Sequence, residues 1–406
     1  MKLNNSITAL VRVDSGEHIG TGHVMRCLTL AKLLRARGIS IYFISKPHKG
    51  HCLDEIRRAD FKVIELPTSN AQEYAGNWCP HAHWLGGTES NDARESLAAL
   101  HHTTLNERVI VVVDHFSLTS QWHIALKEAL NAKVVVIDGL ADRTLKCDVL
   151  IDPNLVLDAK KKWDGKIQNN TKLMIGPQYF PLREEFAFPP PTLPQALKRI
   201  FVCFGGMDKD NATLFICELL AKWCTSLDEP VSVDVIIGEH HPFKPLIHAF
   251  CNQHGFKLHV QASNVSLLMA QADLAIGGGG TMSWERCKMA LPTLVLAIAQ
   301  NQVAQAIALE EKGAAVYVGD YSTESKRLEK IQQRVVNVLE NLRCSPDTLK
   351  TMSQSALSIM EAYNHNQPWV DEIINPINTR NIIIRSLEII NNQTKLPEPK
   401  FSVFQC

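Results

Sequence analysis

The sequence predicts an α/β protein with two consecutive doubly wound parallel sheets. Its 406 residues exceed what one ordinary hydrophobic core organises, and they suit two domains of somewhat under ~200 residues each. In both halves, short runs rich in Val, Ile and Phe alternate with stretches of helical periodicity, as is typical of βαβ units. Four prolines within residues 188–194 interrupt this alternation, because proline continues neither a helix nor a central strand.

The first half contains five predicted strands and two predicted helices. The strands are expected at residues 7–13, 39–44, 61–66, 109–114 and 133–138, and the helices at residues 22–37 and 120–131. In the first helix, Val24, Leu28, Ala31 and Leu34 share one face, and Gly38 follows as its stop. The periodicity therefore changes from strand to helix and back at short intervals.

The second half repeats this pattern after the proline-rich segment. Its strands are expected at residues 199–204, 231–237, 256–261, 274–276 and 293–298, and terminal helices at 346–363 and 379–391. We therefore expect two Rossmann-like domains, with catalysis in residues 1–190 and ligand binding in residues 195–365. Residues 366–406 are predicted to form a C-terminal helix and a loosely held tail.

Composition excludes several classes of partner. Lys+Arg and Asp+Glu are both 42, so the chain lacks the basic excess that nucleic-acid binding requires. It has no run of about 18 consecutive apolar residues and no secretory leader pattern at its start. We therefore expect a cytoplasmic protein that binds neither nucleic acid nor membrane, with its 11 cysteines reduced and free of zinc.

The first motif lies between the first strand and the first helix. It contains Gly20, Gly22, His23 and Arg26, at a junction where unpaired amides and the helix dipole favour an anion. The third glycine of the dinucleotide fingerprint is missing, which disfavours NAD. His23 is either a helix-cap residue or a neutral imidazole that acts as a general base.

A second motif follows the first strand of the second half. Gly205 and Gly206 allow backbone to approach a phosphate closely. Asp208 and Asp210 form an Asp-x-Asp pair that either holds a metal on a diphosphate or caps the following helix. Capping is the interpretation we favour, and we expect no metal or other cofactor.

The third motif is a run of four glycines that enters a helix. Gly278 and Gly279 lie in this run, Thr281 and Ser283 add hydroxyl and amide donors for an anion, and Glu285 follows. Glu285 either accepts hydrogen bonds from ribose hydroxyls or serves as a first-turn capping carboxylate.

Polar residues also follow other predicted strands. Asn301 and Gln302 come after the strand at 293–298 and are placed to contact a sugar or phosphate. Asp114, with His115 beside it, and Asp138 end two strands of the first half, and ligands bind at the carboxyl ends of parallel strands. Each aspartate either borders the ligand or caps a helix.

Together these stretches resemble the UDP-2,4-diacetamido-2,4,6-trideoxy-β-L-altropyranose hydrolases of pseudaminic acid biosynthesis. The matching segments are RVDSGEHIGTGHVMRCLTLA, VVVDHF, IDGLADRTLKCDVLIDPNL, LMIGPQYFPLREEF, FVCFGGMDKDN and QADLAIGGGGTMSWERCKMALPTLVLAIAQNQ. They extend from about residue 7 to about residue 363. The chain departs from the family pattern at Gly139, where a second aspartate is common, and at Met207, where a small residue is common.

The resemblance implies a two-domain fold similar to MurG-type (GT-B) glycosyltransferases, with UDP on the second domain. It implies hydrolysis without metal, His23 as the essential histidine, and release of a sugar later used on flagellin or surface glycans. It places UDP at Gly205, Gly206, 278–283 and Glu285. Asp114 or Asp138 is expected to orient His23 or a sugar amide. A UDP-sugar glycosyltransferase and a non-catalytic nucleotide-sugar binding protein are the alternatives, and we expect a monomer or weak oligomer.

Overall fold

The computed structural model describes residues 6–68, 77–156, 158–188, 191–322 and 324–375. The chain folds into two all-parallel sheets with helices on both faces. The predicted α/β class with two doubly wound sheets is thereby confirmed. Each sheet is continuous in sequence, so the chain completes one before it starts the other.

The first sheet has seven strands in the order β3-β2-β1-β4-β5-β6-β7. Its strands are β1 (Ile7–Val13), β2 (Ser40–Ser45), β3 (Lys62–Glu65), β4 (Arg108–Asp114), β5 (Lys133–Ile137), β6 (Val149–Asp152) and β7 (Lys172–Ile175). The helices around it are α1 (Gly22–Arg35), α2 (Leu53–Arg58), α3 (Glu89–Ala99), α4 (Ser120–Leu130) and α5 (Ala159–Trp163). β1 is buried along its whole length, because helices cover both faces of the sheet.

The second sheet has six strands in the order β10-β9-β8-β11-β12-β13. Its strands are β8 (Arg199–Cys203), β9 (Ser232–Ile237), β10 (Lys257–Val260), β11 (Leu274–Gly277), β12 (Thr293–Ala297) and β13 (Ala315–Asp320). Its helices are α6 (Ala212–Thr225), α7 (Lys244–His254), α8 (Val265–Ala270), α9 (Met282–Lys288), α10 (Val303–Glu311), α11 (Ser325–Cys344) and α12 (Pro346–Ile359).

All ten strands predicted from the sequence are present within a few residues of their expected bounds. Three strands were not predicted, namely β6, β7 and β13. The helix predicted at 346–363 is present as α12, whereas the helix predicted at 379–391 lies outside the described residues, as do residues 189 and 190 of the proline-rich segment.

The chain returns to the first sheet after α12. A short helix, α13 (Trp369–Ile374), buries Trp369, Val370 and Ile373 among the apolar residues beside α1 and β1. Arg37 pairs with Asp371 at 2.5 Å, and Arg108 donates to the carbonyl of Ile374 at 2.6 Å. The described part of the C-terminal segment therefore packs on the first domain and ties the two domains together.

Candidate functional site

A cleft of about 660 Å³ separates the carboxyl ends of the two sheets. It is lined by most of the residues that the sequence singled out: Gly20, Gly22, His23, Arg26, Gly205, Gly206, Gly278, Gly279, Thr281, Glu285, Asn301 and Gln302. Asp114, Asp138 and Ser283 lie behind this lining. The cleft thus gathers the glycine motifs of both halves at one place.

Topology explains why motifs distant in sequence meet here. The strand order reverses between β1 and β4 in the first sheet and between β8 and β11 in the second. Asp114 is aligned with Val13 at the end of β1, and Gly277 with Cys203 at the end of β8. A crevice opens at such a switch point, and there ligands bind to open parallel sheets.

The glycine motifs of the two domains lie against each other across the cleft. A Cβ added to Gly22 would lie 3.4 Å from Oγ1 of Thr281, and a Cβ added to Gly206 would lie 3.0 Å from Oγ1 of Thr21. Glycine at both positions therefore allows the first motif to approach the second and third closely. Residues of all three motifs therefore border one cleft.

His23 begins α1 and is held by Asp114. Its Nδ1 lies 2.6 Å from Oδ1 of Asp114 and 3.1 Å from Nη2 of Arg26. Because the carboxylate can only accept, the shorter of the two contacts favours the hydrogen on Nδ1. Within the described residues, the side-chain hydrogen bonds of His23 use Nδ1, which leaves Nε2 on the opposite edge of the ring. The side chain of His23 is only 10% exposed, and the residue lines the cleft. This arrangement leaves Nε2 as the ring nitrogen without a side-chain partner in the described part of the chain.

Arg26, one turn further along α1, fixes the same carboxylate. Its Nε and Nη2 each lie 2.5 Å from an oxygen of Asp114. Burial by itself would raise the pKa of Asp114, but Arg26 and then His23 hold that pKa well below its usual value. The aspartate is therefore ionised beside the His23 ring.

Aromatic rings enclose His23 on the first-domain side. The ring of Phe116 lies 4.6 Å from the His23 ring in edge-to-face geometry, and that of Trp84 lies 5.9 Å away. Trp84 also stacks on Phe116 at 5.7 Å. The His23 ring therefore faces a partly apolar wall.

Asp138 does not contact His23. One of its carboxylate oxygens accepts the backbone N–H groups of Leu140 and Ala141 at 2.7 and 3.3 Å. The other lies 2.7 Å from Nη2 of Arg143. Asp138 is fully buried in this way, because the loop after β5 folds back over it. Of the two aspartates expected to orient His23, Asp114 has that position.

His115, the neighbouring histidine, belongs to a separate buried network. Its Nε2 lies 3.0 Å from Asp14, which also forms an ion pair with Arg12 at 2.5 Å. Burial lowers the pKa of His115. This ring is therefore engaged inside the first domain rather than directed into the cleft.

In the second domain, Asp208 caps α6. Its carboxylate accepts the backbone N–H groups of Ala212 and Thr213 at 3.1 and 2.7 Å and the Thr213 hydroxyl at 2.8 Å. The capping interpretation of this aspartate is confirmed. Asp210 is exposed and lines the cleft without sharing that role.

Gln302 supports the third glycine motif from below. Its side-chain Oε1 accepts the backbone N–H of Gly279 at 3.0 Å and that of Ile298 at 3.2 Å. The amide of Gly279 is therefore already used, and Thr281, whose side chain makes no capping bond, offers a free hydroxyl to the cleft. Asn301 is exposed beside it. Ser283 is buried behind the loop, because it lies on the inner side of α9.

Glu285 is paired with an arginine that sequence reasoning missed. Nε of Arg183 lies 2.8 Å from one oxygen of Glu285, and Nη2 lies 3.0 Å from the other. Arg183 comes from the segment that leads out of the first domain, and it lies in the stretch LREEF that was already part of the resemblance. The pair fixes the carboxylate at the wall of the cleft, where its remaining lone pairs can accept hydroxyl groups.

Arg286, next to Glu285, was also missed. It is 1% exposed and contributes to the lining of the cleft. Its Nη2 donates to the carbonyl of Gly278 at 2.6 Å and to the Ser283 hydroxyl at 3.1 Å. Its position directly after Glu285 in the third motif was the available signal, but a buried arginine there cannot be distinguished from a surface one by sequence pattern.

Sequence comparisons place the chain near proteins of sugar metabolism. It is 23% identical over 309 residues to the UDP-2,4-diacetamido-2,4,6-trideoxy-beta-L-altropyranose hydrolase of Campylobacter jejuni, which covers 76% of this chain and 97% of that protein. It is 21% identical over 314 residues to the spore coat polysaccharide biosynthesis protein SpsG of Bacillus subtilis, which covers 75% of this chain and 82% of that protein. A match of 23% identity to an uncharacterized protein of Methanocaldococcus jannaschii covers 70% of the chain but only 54% of that protein. No protein-family model matches the chain.

Structural comparison identifies the fold. The spinosyn rhamnosyltransferase SpnG complexed with thymidine diphosphate superimposes with a TM-score of 0.60 and 15% identity, over 91% of this chain and 100% of that one. Acinetobacter baumannii MurG superimposes with a TM-score of 0.57 and 15% identity, over 91% of this chain and 99% of that one. The expected two-domain GT-B fold is therefore confirmed. Within the described ranges, no helix is both long and apolar enough to cross a bilayer.

Proposed function

We propose that the protein hydrolyses UDP-2,4-diacetamido-2,4,6-trideoxy-β-L-altropyranose to UDP and the free sugar. The observation that carries the proposal is the position of the His23–Asp114 pair, which faces the glycine motifs of the second domain across one cleft. A base and a diphosphate site are the two elements that such a hydrolysis requires. Similarity to the Campylobacter jejuni hydrolase, over 97% of that protein, supports the choice of reaction and sugar.

In the proposed reaction, water attacks the anomeric carbon while the bond from that carbon to the diphosphate oxygen breaks. Nε2 of His23 accepts the proton of the water, and the ionised Asp114 stabilises the resulting imidazolium. The bonding electron pair leaves with UDP. Direct displacement from the face opposite the leaving group inverts the anomeric configuration.

The second domain would receive the leaving group. Thr281, the backbone of the loop at 205–206 and the amides of Gly278 and Gly280 border the cleft and are proposed to donate to the diphosphate. Glu285, held by Arg183 at 2.8 Å, is proposed to accept the ribose hydroxyls. Asn301 and Gln302 lie at the same edge, near the sugar and the diphosphate.

The enclosure of His23 favours water over a bulky acceptor. Phe116 and Trp84 lie within 4.6 and 5.9 Å of its ring, so the space beside the base suits a small nucleophile. A UDP-sugar glycosyltransferase is the competing function, because the superimposable structures include glycosyltransferases. In the proposed hydrolysis, the free sugar serves pseudaminic acid synthesis for flagellin or surface glycans.

The deciding experiment incubates the purified chain with the UDP-sugar in the absence of any acceptor. Release of UDP, with the free sugar followed by NMR, supports the hydrolase. Turnover only after an acceptor is added would identify a transferase, and binding without turnover in either case would identify a nucleotide-sugar binding protein. A panel of UDP-sugars then defines the sugar, and His23→Asn serves as the inactive control.

A further inference from the structure

The arginines around the cleft differ in one respect. Arg26 is paired with Asp114, Arg143 with Asp138, and Arg183 with Glu285. Arg286 is more deeply buried than these three, at 1% exposure, yet no carboxylate of the described residues forms an ion pair with it. The nearest acidic side chain along the chain, Glu285, has both oxygens engaged by Arg183.

The hydrogen bonds of Arg286 reach only neutral groups. Nη2 uses the carbonyl of Gly278 and the hydroxyl of Ser283, while Nε is buried and has no partner. Burial lowers the pKa of Arg286 from its ordinary value, and the neighbouring Cys287, Cys203 and Glu285 offset this loss of solvent only in part. A buried charge in this state is unfavourable for the isolated protein, because a compensating charge normally accompanies it.

The guanidinium lies directly beneath the glycine loop. A Cβ at Gly277 would lie 2.7 Å from Nη1 of Arg286 and 2.2 Å from the carbonyl oxygen of Cys203, so only glycine leaves room for the arginine there. Nη2 of Arg286 holds the carbonyl of Gly278 at 2.6 Å, and Arg286 itself contributes to the lining of the cleft. The missing negative charge can therefore come from a ligand in the cleft.

We propose that Arg286 is the binding residue whose positive charge holds the diphosphate of the nucleotide over the 277–280 loop. This inference rests on the proposed function, since it takes the ligand of the cleft to be a nucleoside diphosphate. The bound diphosphate completes an ion pair that the protein alone lacks. Arg286 thereby compensates the negative charge of the diphosphate with a side chain of the protein. Asp208 is engaged as a helix cap at the same site.

The test separates charge from structure with paired variants. Arg286→Gln keeps a donor toward the Gly278 carbonyl but removes the charge, whereas Arg286→Lys keeps the charge. Lys288→Met is the matched control, because Lys288 is a largely buried cation of the same helix that packs on Tyr363 outside the cleft lining. Affinities for UDP, UMP, uridine and inorganic pyrophosphate are measured by calorimetry for each protein.

We expect Arg286→Gln to weaken the binding of UDP and pyrophosphate by about 10- to 100-fold and that of UMP by less. The affinity for uridine should stay unchanged within about twofold. Arg286→Lys should retain most of the UDP affinity, and Lys288→Met all of it. In the absence of ligand, the Tm of Arg286→Gln should not fall below that of the wild type, because an uncompensated buried charge has been removed.

Three results would overturn the inference: unchanged UDP affinity in Arg286→Gln, equal losses for uridine and UDP, or a lowered Tm accompanied by loss of all ligands. Equal losses would mean that the arginine only shapes the loop. If Arg286→Gln does not fold, UDP binding by Arg286→Lys tests the inference instead. Loss of UDP binding in a folded Arg286→Lys also contradicts a role of the charge. A wild-type protein that binds pyrophosphate but not UDP would instead refute the proposed function and leave the anion site standing.

Discussion

Nδ1 of His23 lies 2.6 Å from Oδ1 of Asp114, although 91 residues separate the two in sequence. The contact forms because α1 follows β1, and β4 lies directly beside β1 with Asp114 at its carboxyl end. Nε of Arg26 donates to the other oxygen, Oδ2, of the same carboxylate. His23, Asp114 and Arg26 therefore all lie on the first domain, whereas the glycine motifs at 205–206 and 277–280 lie on the second.

His23→Asn should separate chemistry from binding. Asparagine keeps a polar side chain at the start of α1, but it cannot accept a proton as imidazole does. We expect turnover to fall by at least about 10²- to 10⁴-fold, with UDP affinity nearly intact, as for an interaction needed mainly in the transition state. Steady-state kinetics and calorimetry measure the two quantities. His18→Asn, at another histidine that lines the cleft, is the control. Near wild-type turnover in His23→Asn would move the base to another group of the cleft, since His115 is engaged with Asp14 inside the first domain.

Asp114→Asn should reduce both activity and stability. The amide no longer holds the Nδ1–H tautomer or balances an imidazolium, so we expect a turnover loss of about 10²- to 10⁴-fold. It also leaves the Arg26 guanidinium buried without its counter-charge, which costs about 3–5 kcal/mol of unfolding free energy. Urea unfolding and kinetics on the same preparation measure both effects. An Asp371→Asn variant, which breaks an exposed pair with Arg37, should change stability by less than about 1 kcal/mol. Full activity in Asp114→Asn would show that the aspartate is only structural.

Acid should destabilise the first domain through two buried aspartates. Burial opposes ionisation of Asp14 and Asp114, but Arg12 and Arg26 respectively hold the pKa of each carboxyl well below its usual value. Because these folded-state pKa values lie below the unfolded value of about 4, ionisation stabilises the fold fully above that pH. The contribution declines as pH falls below about 4. We expect Tm to drop steeply there, measured by scanning calorimetry at constant ionic strength. A Tm independent of pH between about 5 and 2 would contradict the assignment of both ion pairs.

Chelation should leave activity intact. Asp208 is engaged by the amides of α6, and the described residues contain no group of three or more His, Cys, Asp or Glu side chains placed to hold a metal. We therefore expect the hydrolysis rate in excess EDTA to equal that in its absence. The control is a metal-dependent nucleotidase in the same buffer. Loss of turnover that magnesium or manganese restores would identify Asp208 and Asp210 as ligands and refute metal independence.

The sequence predicted the sheets more completely than the side-chain pairs of the site. Continuous apolar runs such as that of β4 identify buried parallel strands, because both faces of the sheet are covered. Strand length alone does not explain the omissions, because β3, β10 and β11 also have four residues each and were predicted. The four-residue β6 and β7 and the six-residue β13 were missed. The glycine motifs were located correctly on the cleft because each follows a strand end, where topology alone directs it toward the ligand crevice.

Pairings across the chain were beyond sequence reasoning. Asp114 and Asp138 both end strands, and only the folding of the loop after β5 over Asp138 decides which of them reaches His23. In the same way, Arg183 meets Glu285 across 102 residues, and no periodicity predicts that contact. Such pairs depend on how connecting segments return, which local pattern does not specify.

The last prediction concerns Glu285 and its partner Arg183. If Glu285 accepts the ribose hydroxyls, Glu285→Ala should weaken UDP binding by about 1–3 kcal/mol, as expected when a buried charge-assisted hydrogen bond loses its acceptor. Arg183→Gln should weaken it less, because the carboxylate remains but is no longer held by the guanidinium at 2.8 and 3.0 Å. In the double variant the losses should not add, since Arg183 acts on the nucleotide through Glu285. Calorimetry with UDP and with 2′-deoxy-UDP completes the test. The difference in affinity between the wild type and Glu285→Ala should be smaller for 2′-deoxy-UDP than for UDP. Unchanged UDP affinity in Glu285→Ala would leave Glu285 as a structural partner of Arg183 and move the ribose site elsewhere in the cleft.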